Sequence, residues 1–549
     1  MHVDLLVWAL AFLPLALLLF VMILRRWGAA EAGALGWLTA VVIAIFVFDM
    51  SVRAIGLQSV KGTVDALTIL YVVWPAILIY EVTREAGAFD PFRRGMTRLL
   101  PHPLIQVMAF GWVFASFLQG ITGFGVPIAV CAPLLVGIGV RPLYAVVIPL
   151  VGHAWNNTFG TLAVAWLGLK QVTGMGPELA ASTALYAAAF IWILNLMGGL
   201  LVCWLYGRIR GVREGLPAVA AISLVHGGLT LVLSQWNDTL NGFIAGLVGF
   251  ILIFALGRLP RYRRPSKVQD SRIFEPAGQV APEPSAPSTA GTTTPVAPVG
   301  AGQPAGPVAT MSVNAAFIPY YALLVITFGI LLIPPVKDAL SGVVIGLSFP
   351  EISTGLGFDT PEESVEMSLL THAGTFLLAA AFVGYLAYSR MGHIRPGGLS
   401  RVWSRTFEKA IASTIAVVAL VAMATVMQGA GQADALARGV AAATGGFYGF
   451  LAPFVGVLGA FMTSSNLASN LLFGGFQETT AAATGTSKAA ILGAQTAGGA
   501  IGNTVAPGNV LLGTTTAGIL GKEGDVLRIT FPLGLMIAAV VGVVVLIVA

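Results

Sequence analysis

Thr463-Ser464-Ser465-Asn466-Leu467-Ala468-Ser469-Asn470 lies inside an apolar stretch that runs from 447 to 520, and six of these eight residues carry a hydroxyl or an amide. Polar groups facing hydrocarbon find no water to bond, so such an interruption survives only inside protein or around a water-filled cavity. An earlier apolar stretch, 104–168, is broken in the same manner by Gln119-Gly120-Ile121-Thr122-Gly123-Phe124-Gly125. Each break is followed by an Asn-Thr pair, Asn157-Thr158 and Asn503-Thr504. Gly120 to Asn157 is 37 residues, and Asn466 to Asn503 is also 37. At the tip of a re-entrant hairpin, these side chains and the free N–H groups of a half-helix suit an ion, above all a carboxylate. The glycines let the backbone come close to it.

The surrounding composition is that of a membrane protein. The chain has 549 residues, 57% apolar and 10% charged, where a soluble domain carries about 25% charged residues. A water-soluble enzyme and a disordered chain are both excluded. Cys131 and Cys203 lie in apolar runs, so neither a disulfide scaffold nor a Cys-rich metal site is available. The net charge of +5 sits in loops and concerns orientation, not nucleic acid.

Apolar runs near 4–24, 33–50, 62–82, 181–206, 216–234, 240–257, 313–333, 368–388, 409–427 and 526–548 each suit a span, since a bilayer core needs about 20 apolar residues. With one or two spans in each interrupted stretch, the total is about 12–14 transmembrane helices. The first run is read as a retained span, because Arg25-Arg26 follow it and Met1-His2-Val3-Asp4 is not basic. Basic loops should be cytoplasmic: Arg84, Arg93, Arg94 and Arg98; Arg208, Arg210 and Arg213; Arg258, Arg261, Arg263, Arg264 and Lys267; Arg390, Arg395, Arg401, Arg405 and Lys409. The run with Glu351, Asp359, Glu362, Glu363 and Glu366 then lies outside, with the N-terminus. Ten of the 54 residues in 259–312 are proline, and Ile273 and Phe274 are nearly its only large apolar side chains. It reads as a flexible cytoplasmic linker. It separates an N-terminal membrane half, 1–258, with its hairpin near 117–138, from a C-terminal half, 313–549, with its hairpin near 461–480. The spans 62–82 and 409–427 enter the two stretches in opposite directions. The fold class is therefore an all-α polytopic membrane protein with two inverted repeats, each holding a re-entrant hairpin and a broken helix, as in secondary transporters.

Ionisable residues at membrane depth are functional candidates. His153, in Gly152-His153-Ala154-Trp155-Asn156-Asn157, suits a proton relay or a neutral helix–helix bond. His372 begins a span and reads as structural. Glu478 and Lys488 read as solvated, Arg141-Pro142 as a helix cap, and Asp49 and Glu81 as snorkelling span ends. H-E-x-x-H, G-x-S-x-G and Walker A signatures are missing. The expected activity is transport, with no catalytic residue, metal or cofactor. The reading from another class, a polytopic membrane enzyme, would need paired acids or a metal cluster. Substrate binding falls to Gln119, Thr122, Gly123, Asn157, Thr158, Ser464, Ser465, Asn466, Asn503 and Thr504, with His153 the candidate for proton coupling. Small and polar residues also hold membrane helices together, so any one of them can serve packing alone.

Phe117-Leu118-Gln119-Gly120-Ile121-Thr122-Gly123-Phe124-Gly125-Val126-Pro127-Ile128-Ala129 resembles the pattern L-E-G-x-x-G-F-G-x-P-x-A of the bacterial lactate permease family. Leu134 to Gly139, Pro142 to Ala145, Thr463 to Asn470, Gly498-Gly499 and Gly518 to Thr530 resemble further family segments. The resemblance implies uptake of lactate or glycolate through the bacterial inner membrane, usually with protons. It also implies kinship with ion transporters that have two re-entrant hairpins and an elevator-like movement. Gln119 stands where the family has Glu, and Gly152-His153-Ala154-Trp155 where better-known members read Asn-Thr-Ala-Pro. Without that Glu, coupling needs another proton carrier or another ion, such as Na⁺ on the Asn, Ser and Thr oxygens. A sulfonated or other small organic anion is the alternative substrate. The lipid bilayer and the anion are the expected partners, and a homodimer is left open.

Overall fold

The computed structural model describes residues 5–25, 27–89, 91, 99–123, 125–266, 268, 271–275, 311–331 and 333–549. Arg26, Arg93, Arg94, Arg98, Phe124, Lys267 and most of the linker, 276–310, lie outside the described residues.

The N-terminal half runs through α1 (Leu5–Leu24), α2 (Ala29–Phe46) and α3 (Val52–Glu85). Next come α4 (Pro103–Ile121), α5 (Val126–Val136), α6 (Pro142–Ala154) and α7 (Gly160–Thr173). It closes with α8 (Pro177–Trp236), which turns at Gly207 and Arg208, and α9 (Asp238–Gly257). The C-terminal half holds α10 (Ile318–Leu331), α11 (Pro334–Ser341), α12 (Ala373–Arg390), α13 (Gly398–Gly429), α14 (Gln432–Thr444), α15 (Tyr448–Thr463), α16 (Asn466–Thr484), α17 (Lys488–Gly502), α18 (Pro507–Thr516) and α19 (Glu523–Val548).

Among the described residues, eight helices are long and apolar enough to cross a membrane, or nine if α10 and α11 count as one span. The lower number than 12–14 has a physical reason. Near each polar break a span is divided into two helices, and α5, α6, α7, α17 and α18 are each too short to cross alone. α8 likewise counts once, although it is two helices that meet at Gly207-Arg208 and run antiparallel, with Trp192 bonded to Ser223 across them.

Two breaks are hairpin tips. Ser469 bonds Gly456 O at 2.8 Å and Gln477 bonds Ala452 O at 2.9 Å, so α15 and α16 run antiparallel from the tip at Ser464-Ser465. The arms are Tyr448–Thr463 and Asn466–Thr484, longer than the expected 461–480. α4 and α5 pair likewise: a Cβ on Gly111 would meet Leu135 at 3.0 Å. The other two breaks, after α6 and after α17, divide two further spans into short helices. Each half thus has the order hairpin, broken span, long helix.

The crossings that hold these pieces need glycine for close approach. A Cβ on Gly152 of α6 would lie 1.9 Å from Gly111 O of α4, and one on Gly498 of α17 would lie 2.1 Å from Pro453 O of α15. Gly111 falls inside a π-helical segment, Ala109–Phe114, a form frequent at functional sites.

Three expectations are corrected. The acidic run read as a loop holds two short strand pairs within the otherwise helical fold: β1 (Val344–Phe349) pairs antiparallel with β4 (Glu363–Ser368), and β2 (Ile352–Ser353) with β3 (Asp359–Thr360). Glu81 does not snorkel; it is fully buried and bonded to Lys409 at 2.5 Å, an acceptor–donor pair that only tertiary packing creates. The chain also does not leave the body at 259. Tyr262 and Ile273 are buried, and Arg141 N bonds Ile273 O at 2.7 Å.

Candidate functional site

All four breaks meet in one recess of about 420 Å³, counting its open side. Gln119 and Gly125 come from the first hairpin tip, and His153, Asn157 and Thr161 from the break between α6 and α7. Ser464, Ser465, Asn466 and Leu467 come from the second tip, and Asn503 and Asn509 from the break between α17 and α18. Val164 and Ala165 are the remaining lining residues among those described.

Local sequence explains each break. Gly125 has φ +79°, a left-handed turn that glycine takes without strain, and Pro127 then opens α5. Ser464 is left-handed at φ 55°, and Ser465 caps α16 by accepting from Ala468 N at 3.3 Å. Pro507 opens α18, and Ser464 Oγ accepts from Gly508 N at 2.9 Å, which ties the second tip to the second broken span. α7 starts on three successive left-handed residues, Thr161, Leu162 and Ala163, with φ of 52°, 50° and 65°. Each costs about 1–2 kcal/mol for a residue with a Cβ, strain of the kind that collects at ligand sites.

α7 meets the recess through its left-handed turn, and the right-handed helices beginning at Val126, Asn466 and Pro507 start beside it. Their first N–H groups lack intrahelical acceptors and form the positive ends of the helix dipoles. Among the described residues no carboxylate, Lys or Arg lines the recess, and His153 is its one titratable group. His153 Nδ1–H donates to Pro149 O at 2.9 Å, which leaves Nε2 as its acceptor nitrogen. Gln119 Nε2 donates to Asn157 Oδ1 at 3.0 Å, and Asn509 Nδ2 to Asn503 Oδ1 at 2.9 Å. Asn466 is different: it is 2% exposed, and neither its Oδ1 nor its Nδ2 has a partner.

Seven of the residues singled out in the sequence line the recess: Gln119, His153, Asn157, Ser464, Ser465, Asn466 and Asn503. Four do not. Thr122 bonds Leu118 O, Thr504 bonds Ile501 O, and Thr158 bonds Thr496 O at 3.2 Å. Gly123 packs behind the lining, where a Cβ would lie 2.1 Å from Thr161 Oγ1. Thr161 and Asn509 were missed. Asn509 had a signal in Pro507-Gly508-Asn509, a helix start one turn past the Asn-Thr pair. Arg141 caps α6 and bonds Phe274 O at 3.0 Å, away from the recess. His372 caps α12, accepting from Gly374 N. Lys488 and Glu478 pair at 3.3 Å on the surface.

The family model of L-lactate permease matches residues 8–549. The glycolate permease of Escherichia coli is 27% identical, covering 98% of this chain and 94% of the relative. The L-lactate permeases of Escherichia coli and Halalkalibacterium halodurans are each 26% identical over 97% and 96% of this chain and 94% of their own lengths. These relatives are transporters and not enzymes. Together with the apolar helices they make the chain a multi-pass protein of the bacterial inner membrane. A profile that runs through both hairpins and both broken spans leaves one conclusion: the chain belongs to the L-lactate permease family.

Proposed function

We propose that the protein is a secondary active transporter that imports a small hydroxy-carboxylate, lactate or glycolate, with the anion held where the four breaks meet. The observation that carries this reading is the convergence of three helix N-termini and the left-handed turn of α7 on a recess of neutral amides and hydroxyls. Such a site attracts negative charge without a fixed cation, so it can release the anion again. Permeases for lactate and glycolate among the relatives support the substrate class. Gln119, Asn157, Ser464, Ser465, Asn466 and Asn503 donate to the anion in this reading.

The two halves act as inverted repeats that expose the recess to either side in turn. Support comes from the repeated order of hairpin, broken span and long helix. It also comes from α3 and α13, which run antiparallel: Glu85 meets Arg401 and Arg405 at one end, and Gln58 O accepts from Thr425 at the other. Proton symport would pass through His153, the titratable group of the lining.

Vesicles containing the full chain test this. Labelled lactate and glycolate should accumulate under an inward cation gradient, and absence of accumulation under both proton and sodium gradients would refute the carrier reading. Uptake indifferent to the pH gradient would remove proton symport.

A further inference from the structure

Just behind the recess, three elements bring neutral oxygens together. Thr158 from the α6–α7 break, Asn470 from α16 and Thr496 from α17 are all fully buried. Every donor in this group is already used. Asn470 Nδ2 donates to Ala165 O at 2.9 Å and to Thr496 Oγ1 at 3.0 Å. Thr158 Oγ1 donates to Thr496 O at 3.2 Å, and Thr496 Oγ1 to Thr158 Oγ1 at 3.3 Å. What remains is acceptor capacity: Asn470 Oδ1 is buried with no partner, and so is Asn466 Oδ1, one helical turn earlier on the same face of α16. A buried acceptor without a donor is costly. Two of them beside two hydroxyls call for an occupant that brings positive charge or protons.

We propose that Asn466, Asn470, Thr158 and Thr496 form a binding site for a monovalent alkali cation, placed against the anion recess. The oxygens are all neutral, whereas divalent cations are usually held by carboxylates. Alkali ions exchange their hydration shell for neutral carbonyl and amide oxygens, and discontinuous helices supply them. No cluster of three or more His, Cys, Asp or Glu suited to a metal occurs among the described residues. Asn466 belongs to both sites: it lines the recess, and its unpartnered Oδ1 lies against Gly499 of α17, one turn from Thr496. One side chain therefore links the two ligands, so that each binds more tightly in the presence of the other. The coupling part of this proposal rests on the carrier reading above; the cation site itself does not.

The experiment is thermal unfolding of the purified full chain in sodium, lithium, potassium or choline chloride at constant ionic strength and pH. A ligand of the native state raises apparent stability in a saturable manner. At least one alkali cation should do so while choline does not, and Thr496→Val and Thr158→Val should each weaken that cation's midpoint by about tenfold or more. Both replacements keep the side-chain shape, and melting in choline reports whether each variant is folded. An identical response to alkali cations and choline, which would mean water is the occupant, overturns the proposal. So does an unchanged midpoint in both folded variants. Cation stabilisation without any hydroxy-acid uptake in vesicles would sink the carrier reading and leave the site standing; uptake in a protein blind to alkali cations would do the reverse.

Discussion

At the residue scale, Asn466 separates ligand chemistry from packing. Most buried polar side chains around the recess already have partners, as buried polar groups should. Asn466 has none on either atom while sitting in the lining. Asn466→Leu removes two unpaired polar atoms and adds apolar volume, so it should leave the melting temperature in choline unchanged or raise it. Uptake should fall by at least about tenfold, because the lost contacts are made only to ligand. Uptake and melting measured on one preparation decide this; a destabilised variant with normal uptake per folded protein would make Asn466 a packing residue. The sequence exposed Asn466 because an amide in an apolar run is conspicuous. It hid the strained turn at Thr161-Leu162-Ala163, since none of these residues carries a turn signal and only the tertiary frame holds them left-handed. Glu81 was hidden for a related reason: its position near a span end suggests solvent, and nothing local reveals Lys409 in reach, 328 residues away.

At the element scale, the second hairpin owes its stiffness to a closed amide ladder. Tyr448 OH donates to Gln477 Oε1 at 2.6 Å, Gln477 Nε2 to Gln495 Oε1 and Ala452 O at 2.9 Å each. Gln495 Nε2 then bonds Ser469 O and Oγ at 3.1 Å, and Ser469 Oγ donates to Gly456 O. The ladder crosses from α15 through α16 to α17, so it fixes the tip without touching the recess. Gln495→Leu cuts it in the middle and leaves a buried amide donor on Gln477 without one of its acceptors. A cost of about 1–3 kcal/mol is expected for each orphaned group, seen as a clear drop in melting temperature in every salt. The cation midpoint of the remaining folded protein should stay within about threefold of wild type. A variant as stable as wild type would show the ladder to be idle. The hairpins were legible in the sequence as polar breaks at equal spacing, whereas their arm lengths were not. Apolar arms read continuously into their neighbours, and only the antiparallel pairing marks where they end. The strands between 344 and 368 escaped for a different reason: β1 and β4 are six residues each, and the acidic residues among them read as an exposed loop.

At the scale of the whole molecule, the two halves are interleaved and not merely side by side. α3 packs on α13, α7 on α16, α8 on α17, and α5 on α18. Thr158 of one half bonds Thr496 of the other, and Asn470 reaches back to Ala165. The recess is therefore incomplete in either half, and its described lining comes from both membrane halves. The segment up to Glu275 is held to the base of the first hairpin through Glu275 N–Gly139 O at 3.0 Å and Arg141 N–Ile273 O. Ten prolines in 259–312 argue against a core of the linker's own. Co-expressed pieces 1–275 and 311–549 should consequently find each other in the membrane and restore hydroxy-acid uptake to within about threefold of the intact chain, with the loss set by the entropy of assembling two chains. Either piece alone should give none. Co-purification of the pieces without uptake would point to a role for the linker in transport itself, and failure to co-purify would show that the interleaved helices need covalent connection to assemble.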